Sequence, residues 1–447
     1  MLSPRPAVAF PTLGCRLNQV ESQEMTSLMG ARGFPAADAG EGAGIFVVNT
    51  CTVTGRADVS DRQLIRRIRR EHPEALLVVT GCWAQTDPEA VAALDGVDLV
   101  VGNQEKYRLP DLVEEFLARP RRRGAPALHV APIAEARGVP FAPFSRVTGR
   151  SRAFVKVQDG CQHRCAFCIV PAARGGSRSQ DPKVVLDQVR LLVESGHGEV
   201  TLTGVDLGHY GWDLVPRTSI AALIELLNDV PGLRWLRLSS VLPAYFTPAL
   251  IEAVTTLPVL APHLHVPLQS GSDRVLRRMR RPYNARMYRA LVERLAAAIP
   301  ELALGADVIV GHPGESDADF AATLDLVRAL PFSYLHVFAY SDRKGTEAAR
   351  LTERVSSPVI RERSVTLRHL AAEKSLAFRQ RFVGQTREAL ILEAPDRVTG
   401  LRVGLTASYV EVRFPGPPDL ARRFVPVTVT GCTPTETLAT LQRPPTP

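Results

Sequence analysis

Hydrophobic positions along the chain fall into runs of two periods. Near the N-terminus GIFVVNTCTV (44–53) and ALLVVTGCWAQ (75–85) are short, apolar and rich in β-branched residues, and both stop at small or turn-forming residues. Between them DRQLIRRIRREHP sets Leu64, Ile65 and Ile68 at helical spacing, and Pro73 closes the helix. Strand, helix and strand in that rhythm predict a parallel sheet. The alternation returns from 152 to about 369. There AFVKV, GEVTLTGV, WLRLSSV, HLHVPL, GADVIVG and YLHVFAY read as strands, with PKVVLDQVRLLVESG and NARMYRALVERLAAAI among the helices between them. Such repeats predict a full or partial (β/α) barrel, with chemistry at the carboxyl ends of its strands. After 383 the period shortens to two: TREALILE, RVTGLRVGLTASYVEVRF and FVPVTVTG, broken by Gly and Pro, predict a small antiparallel barrel. The stretch 120–149, rich in Pro, Gly and Arg, reads as a linker, and LQRPPTP as a loose tail. The expected fold class is α/β: an N-terminal open parallel α/β domain over 5–119, a central partial (β/α) barrel over 147–375, and a small C-terminal antiparallel β-barrel over 381–440.

Composition adds little to this. With 45% apolar and 22% charged residues in 447, the chain is ordinary globular material, not a disordered, collagenous or coiled-coil sequence. The formal charge is +8, and among 54 basic residues only Lys106, Lys156, Lys183, Lys344 and Lys374 are lysines, which leaves 54 − 5 = 49 arginines. Arginine suits RNA phosphates and bases, but a genome rich in Arg and Ala codons gives the same excess. No apolar stretch approaches the ~20 residues of a membrane span. The N-terminus has prolines and an early Gly-Cys where a signal peptide needs unbroken apolar sequence. A cytoplasmic protein with reduced cysteines is the expectation.

The seven cysteines, at 15, 51, 82, 161, 165, 168 and 432, change the picture. The densest group is QDGCQHRCAFCIVPAARG, with Cys161-x3-Cys165-x2-Cys168 directly after the strand AFVKVQ. A structural zinc site wants four ligands. A four-iron cluster held by three cysteines instead keeps one iron open, departing from the usual four-thiolate set. Zinc completed by His163 or a distant residue stays open at this point. Cys15, Cys51 and Cys82 each follow a predicted strand end, so residues far apart in sequence can meet in one crevice.

Cys-x3-Cys-x2-Cys after a first barrel strand, with Phe167 before the last cysteine, resembles the radical S-adenosylmethionine (SAM) superfamily. IVPAARGGSRS, LTGVDLGHYG, LHVPLQSGSDRVLRRMRR, DVIVGHPGESDADF and LHVFAYSDRKGT, with the N-terminal TLGCRLNQVES, VVNTCTVTGRA and VVTGCWAQ, resemble its methylthiotransferase family over residues 8–440. The wording GCRLNQ, NTCTVT and FVKVQDGC is most similar to the branch acting on tRNA threonylcarbamoyladenosine. The resemblance implies two [4Fe-4S] clusters. Cys161, Cys165 and Cys168 would hold the one that binds SAM and cleaves it to methionine and a 5′-deoxyadenosyl radical. Cys15, Cys51 and Cys82 would hold an auxiliary cluster carrying the sulfur. One SAM would methylate that sulfur and a second would activate the substrate. SAM contacts are expected from Phe167, Thr203, Gly204, Val205, Ser239, Gln269, Ile309 and Gly311, with Ser240 and Arg280 also lining the cavity. An electron donor such as flavodoxin or ferredoxin is implied, with no membrane partner. Asp206, His209, Leu242, His312, Ala339 and Ser408 depart from the family pattern; none is a cluster ligand.

The C-terminal segment resembles a TRAM domain, an RNA-binding barrel. On its candidate strands Arg402, Tyr409 and Arg413 are expected RNA contacts, as are Arg277, Arg278, Arg280 and Arg281, with Arg274 in the same patch. Arg66, Arg67, Arg69 and Arg70 read as a solvated helix face, and Cys432 as a small barrel residue without a role. The expected activity is methylthio insertion at carbon 2 of N6-threonylcarbamoyladenosine at position 37 of tRNA. The alternatives are the sister reaction on isopentenyladenosine, modification of an aspartate on a small-subunit ribosomal protein, and a zinc-dependent RNA-binding module.

Overall fold

A computed structural model describes residues 5–37, 42–118, 126–145, 147 and 149–442; parts of the expected linker (120–125, 146, 148) and the tail from 443 lie outside them. The chain forms two compact units, each assembled from several segments.

Unit 1 (Met1–Phe144, Lys156–Gln180, Ser341–Ala349) is built on a parallel sheet in sequential order. Its strands are β1 (Val8–Ala9), β2 (Ile45–Thr50), β3 (Leu76–Gly81), β4 (Leu99–Val101) and β5 (Ala127–His129). Ile45 pairs with Leu76 and Thr50 with Gly81, so β2 and β3 end together. The unbroken apolar runs have a simple cause: both faces are covered. Ile45, Val47 and Val78 pack with Met25 and Met29 on one side; Phe46, Val48 and Val79 pack with Ile65 and Ile68 on the other. Thr54 caps the helix Gly55–Glu71 by accepting from the Ala57 N–H at 3.2 Å. On that helix Arg69 is tied to Asp98 at 2.8 Å, while Arg66, Arg67 and Arg70 are exposed.

The domain boundaries differ from the expectation. Part of the predicted linker is β5, which extends the sheet by pairing Leu99 with Ala127. Residues 341–349 also join unit 1. The Gly55 N–H donates to Ser341 Oγ at 3.0 Å, Arg343 reaches Thr52 at 2.7 Å and Asp58 at 2.6 Å, and the Ala348 N–H donates to Ala166 O at 2.8 Å. Both segments are recruited by long-range pairing that no local pattern announces.

The next strand, β6 (Ala153–Lys156), lies in unit 2 up to Val155, while the short antiparallel pair β7 (Gln158–Asp159) and β8 (Arg178–Ser179) lies in unit 1. Unit 2 continues with β9 (Glu199–Thr203), β10 (Trp235–Leu238), β11 (His263–His265), β12 (Ala303–Val310) and β13 (Tyr334–Ala339). Two three-stranded sheets, β6-β9-β10 and β11-β12-β13, are joined by the parallel bridge of Leu236 to Leu260. This is the expected partial barrel, from the six segments that read as strands. Helices Pro182–Glu194, Ile220–Asn228, Pro248–Thr256, Ala285–Ala298 and Asp317–Ala329 follow successive strands, the last opened by a reciprocal Ser316–Asp319 capping box.

The C-terminal barrel is closed by β14 (Thr386–Ile391), β15 (Arg402–Thr406), β16 (Glu411–Phe414), β17 (Phe424–Cys432) and β18 (Thr437–Leu441) in the order β14-β15-β16-β18-β17. β18 lies just before the tail and was not expected. The barrel belongs to unit 2: Phe424 meets Trp235 edge-on at 4.8 Å, and buried Arg237 donates to the carbonyls of Ala407 and Thr406 at 2.8 and 2.9 Å.

Candidate metal centres

Both three-cysteine sets lie in unit 1. Cys15 precedes the helix Arg16–Ala31, Cys51 follows β2, and Cys82 opens the short helix Cys82–Thr86 after β3. Gly14 and Gly81 stand immediately before two of these cysteines with φ of +96° and +99°. A Cβ on Gly14 would lie 2.6 Å from Cys51 Cβ, and one on Gly81 would lie 2.4 Å from Thr50 O. Close approach of the strand ends therefore requires glycine there. Asn18 ties the ends together by donating to Leu13 O at 2.8 Å and Thr50 O at 2.9 Å. The Cys51 N–H donates to Asp61 at 3.0 Å, and burial raises the Asp61 carboxyl to about 7.

Burial, and after it the charges of Cys82 and Cys15, pushes the Cys51 thiol up to about 12; burial likewise raises Cys82. Thiols that raise one another's pKa are close neighbours. Three sulfur donors are the soft ligand type that iron–sulfur clusters take. Three donors leave one metal position of a four-iron cluster for a further ligand. The residues present fit the expected auxiliary cluster.

The second set is local. Cys161, Cys165 and Cys168 occupy a loop between β7 and the helix Val170–Arg174. Gly160 precedes Cys161 with φ +75°, and a Cβ there would fall 2.0 Å from Gly176 O. The Cys161 N–H donates to Gly175 O at 3.0 Å, and the His163 N–H points at Cys161 Sγ at 3.4 Å. This donor set also fits a cluster with one open position.

What the sequence reading missed is the buried charge network beside both sets. Arg174, 2% exposed, donates to Glu21 Oε1 at 2.8 Å, Asn18 Oδ1 at 2.8 Å and Asp159 Oδ1 at 3.1 Å. Lys106 reaches Glu21 at 2.6 Å, and Lys156 lies 3.5 Å from both Glu21 and Glu24. Burial alone would raise Glu21, but Arg174, Lys106 and Lys156 outweigh it and hold the carboxyl well below the usual range. Arg174 sits next to Cys82 electrostatically, so its fixed cation also opposes negative charge collecting at the sulfurs. The helix carrying Arg174 is fastened by Asn103 Nδ2, which donates to Ala173 O at 2.7 Å. Asn18 and Glu21, three residues apart on the helix that Cys15 begins, are the sequence signal that could have found it.

In unit 2 the expected SAM residues gather at the carboxyl ends of adjacent strands. Thr203 ends β9, the Gly204 N–H lies 3.4 Å from Ser239 Oγ beyond β10, and Val205 follows. Gln269, after β11, holds φ +65°; its carbonyl accepts from the Ile309 N–H at 3.0 Å, and its buried Oε1 lacks a partner. Gly311, at φ +80°, donates to Glu315 at 3.1 Å. Phe167 lies on the cysteine loop of unit 1. Among the residues that depart from the family pattern, Asp206 accepts from Tyr245 OH at 3.1 Å and His209 packs on Trp212 at 4.5 Å. His312 is buried, and burial lowers its imidazole to about 4.

Two expected RNA contacts are placed differently from exposed groups on strands. Arg402 is 5% exposed and donates to Leu392 O at 2.8 Å, so it braces the small barrel from within. Tyr409 is in the β15–β16 turn at φ +58°, not on a strand; its ring stacks on His263 at 3.9 Å with Arg152 and Arg237 over it. Arg413 is held by Asp396 at 3.2 Å and Glu411 at 2.9 Å, Arg278 pairs with Glu353, and Arg274 pairs with Asp319. Arg281 Nε donates to Tyr283 OH at 3.1 Å, while the Arg277 and Arg280 side chains are exposed.

Sequence models of two families match the chain: the radical SAM superfamily over residues 155–327, and the uncharacterized protein family UPF0004 over residues 7–102. A threonylcarbamoyladenosine tRNA methylthiotransferase MtaB of Bacillus subtilis is 37% identical, covering 94% of this chain and 93% of its own length. A tRNA-2-methylthio-N(6)-dimethylallyladenosine synthase of Moorella thermoacetica is 35% identical, covering 96% and 97%. Among solved structures the radical SAM methyltransferase TsrM of Kitasatospora setae shares the fold, with a TM-score of 0.56 and 17% identity over 77% of each chain. No helix among the described residues is long and apolar enough to cross a membrane.

Proposed function

Because the chain belongs to the radical SAM methylthiotransferase family, we propose that it inserts a methylthio group at carbon 2 of N6-threonylcarbamoyladenosine at position 37 of tRNA, with two SAM molecules per turnover. The observation that carries this reading is the presence in one compact unit of two complete three-cysteine sets beside a shared buried cation, Arg174. Similarity at 37% over nearly the full length to an enzyme named for threonylcarbamoyladenosine supports the choice of nucleoside. The bound clusters supply one-electron cleavage of SAM and a site for the sulfur to be transferred.

The chain's own residues hold and insulate those groups. Cys161, Cys165 and Cys168 bind the SAM-cleaving centre; Cys15, Cys51 and Cys82 bind the sulfur-carrying one. Gly14, Gly81 and Gly160 let backbone close around the ligands, and Asn18 keeps the strand ends in register. Arg174 stabilises added negative charge without carrying a proton at issue, because guanidinium stays protonated. Thr203 to Val205, Ser239, Gln269, Ile309 and Gly311 orient SAM from the strand ends. Exposed Arg277 and Arg280 meet the tRNA backbone. A flavodoxin or ferredoxin delivers the electrons.

Nucleoside mass analysis of tRNA from a strain lacking the gene tests the reading. The 2-methylthio form of threonylcarbamoyladenosine should vanish and return on complementation. Loss of the isopentenyl counterpart alone would move the assignment to the sister reaction, and unchanged levels of both would end it.

A further inference from the structure

Strands β11, β12 and β13 lie side by side in parallel register, His265 opposite Gly305, Gly305 opposite Tyr334, and Asp307 opposite His336. Paired residues on neighbouring strands point the same way and alternate residues share a face. His263, His265, Asp307, Tyr334 and His336 therefore stand on one face of unit 2. None is used by the cluster chemistry. One ring nitrogen from each of His265 and His336 and one carboxylate oxygen of Asp307 all lie within 4.8 Å of one another. His265 is 7% exposed, Asp307 is half-buried and His336 is exposed, so the group is closed on its β11 side and open on its β13 side.

The imidazole of His265 is oriented from behind. Tyr334 OH sits 3.1 Å from His265 Nδ1 and 2.9 Å from His263 Nε2. Gly305 makes room for this, since a Cβ there would fall 2.0 Å from the Tyr334 ring. A hydroxyl has one proton to donate. When Tyr334 gives it to His263 Nε2, it accepts from the His265 Nδ1 N–H, and the His265 lone pair is on Nε2. That Nε2 is buried and makes no hydrogen bond, although Asp307 Oδ1 is 3.1 Å away. In that tautomer His265 Nε2 and Asp307 Oδ1 are two acceptors facing each other, an arrangement that a cation between them satisfies. Two donors each ~2.1 Å from one metal ion stand about 3.0 Å apart at an octahedral angle and about 3.4 Å apart at a tetrahedral one, and the 3.1 Å pair lies in that range. A ligand histidine whose other nitrogen is held by a hydrogen bond is the usual outer-shell arrangement at metal sites.

We infer that His265, Asp307 and His336 bind one divalent transition ion, of the Zn²⁺ or Fe²⁺ kind, at a site separate from the six cluster cysteines. Two imidazoles and one carboxylate select such an ion over Mg²⁺ or Ca²⁺, which prefer oxygen alone. Three protein ligands leave a position open on the His336 side for water or an oxygen-donor ligand.

The test uses full-length protein with its clusters reconstituted anaerobically, dialysed against Zn²⁺ and then analysed for metals. Wild type should retain one zinc beyond the cluster irons. His265→Ala and Asp307→Asn should weaken its retention by at least about 100-fold, and Tyr334→Phe, which alters only orientation, by about 10-fold. Cys432→Ser should change nothing. Unaltered cluster absorbance and circular dichroism identify the folded variants, and the near-isosteric Asp307→Asn guards against a His265 variant that fails to fold. Co²⁺ in place of Zn²⁺ should show d–d bands without thiolate charge transfer. Wild type that retains no zinc, retention unchanged in Asp307→Asn, or thiolate bands from Co²⁺ would overturn the site. In the first case the proton shared by His265 and Asp307 is sufficient.

Discussion

Cys161, Cys165 and Cys168 come from eight consecutive residues of one loop, whereas Cys15, Cys51 and Cys82 come from three separate strand ends of a five-stranded sheet. The loop set is half-buried; in the sheet set Cys51 and Cys82 are buried and only Cys15 is exposed. The loop needs a short β-pair and one left-handed glycine to take shape. The sheet set exists only once β2 and β3 are paired to their ends and Asn18 has tied the Leu13 segment to the end of β2. One proposed ligand set is thus a local property of the chain, and the other is a property of the whole sheet. Arg174 is the point where the two meet, through Asp159 on the loop side and through Asn18 and Glu21 on the sheet side.

The largest expected effect separates the sets directly. Cys165→Ala and Cys82→Ala should each abolish methylthio transfer while retaining about four of about eight irons per chain. Iron analysis and electron paramagnetic resonance after anaerobic reconstitution read this out, and loss of all iron from either variant would show that the sets do not assemble independently.

Next in size is Arg174→Gln. It leaves Glu21 and Asp159 without their shared cation in a dry interior, and breaking a buried pair in this way costs about 3–5 kcal/mol. Urea denaturation should show that loss, with iron depleted from both sets. Arg174→Lys keeps the charge without the fork and should recover part of the stability. A Gln variant within about 1 kcal/mol of wild type would mean that the network is not structural.

Gly160→Ala and Gly81→Ala sharpen the contrast at about 1–3 kcal/mol each from the forced left-handed backbone alone. The first should deplete only the loop set. The second pushes a methyl onto β2 and should deplete only the sheet set. Identical iron loss in both would erase the distinction between local and sheet-borne ligands.

The smallest effect is a control in unit 2. His312 is buried and its imidazole is lowered to about 4, below the ~6.5 of an unfolded chain. The unfolded state then binds more protons between those values, so stability is intact above pH 6.5 and is lost as pH falls toward 4. His312→Phe removes this dependence and should be more stable relative to wild type by about 1 kcal/mol at pH 5.5 than at pH 7.5. Thermal denaturation at the two pH values checks it; equal offsets would refute it.

Much of this was legible before any coordinates. The six barrel strands and the opening sheet follow from apolar runs, and the three-plus-three-plus-one division of the cysteines from their spacing together with the family resemblance. β5 and β18 did not, because each is a few residues long and is a strand only by virtue of the neighbour it pairs with. Arg402 and Tyr409 looked like surface groups because their residue types usually are. The burial of Arg402 depends on Leu392 and Glu393, and the stacking of half-buried Tyr409 on His263, none of which the local pattern shows. Arg174 was hidden for the same reason: one more arginine among 49, distinguished only by what surrounds it.

By itself, the sequence determined which atoms can do chemistry and roughly where along strands and loops they occur, since residue identity and periodicity are local. The tertiary structure alone decided which charges lose water, which acids and bases compensate them, and which distant segments complete the sheet. Desolvation and ion pairing depend on neighbours brought together across the chain, and the same side chain is solvated in one fold and the centre of a buried network in another.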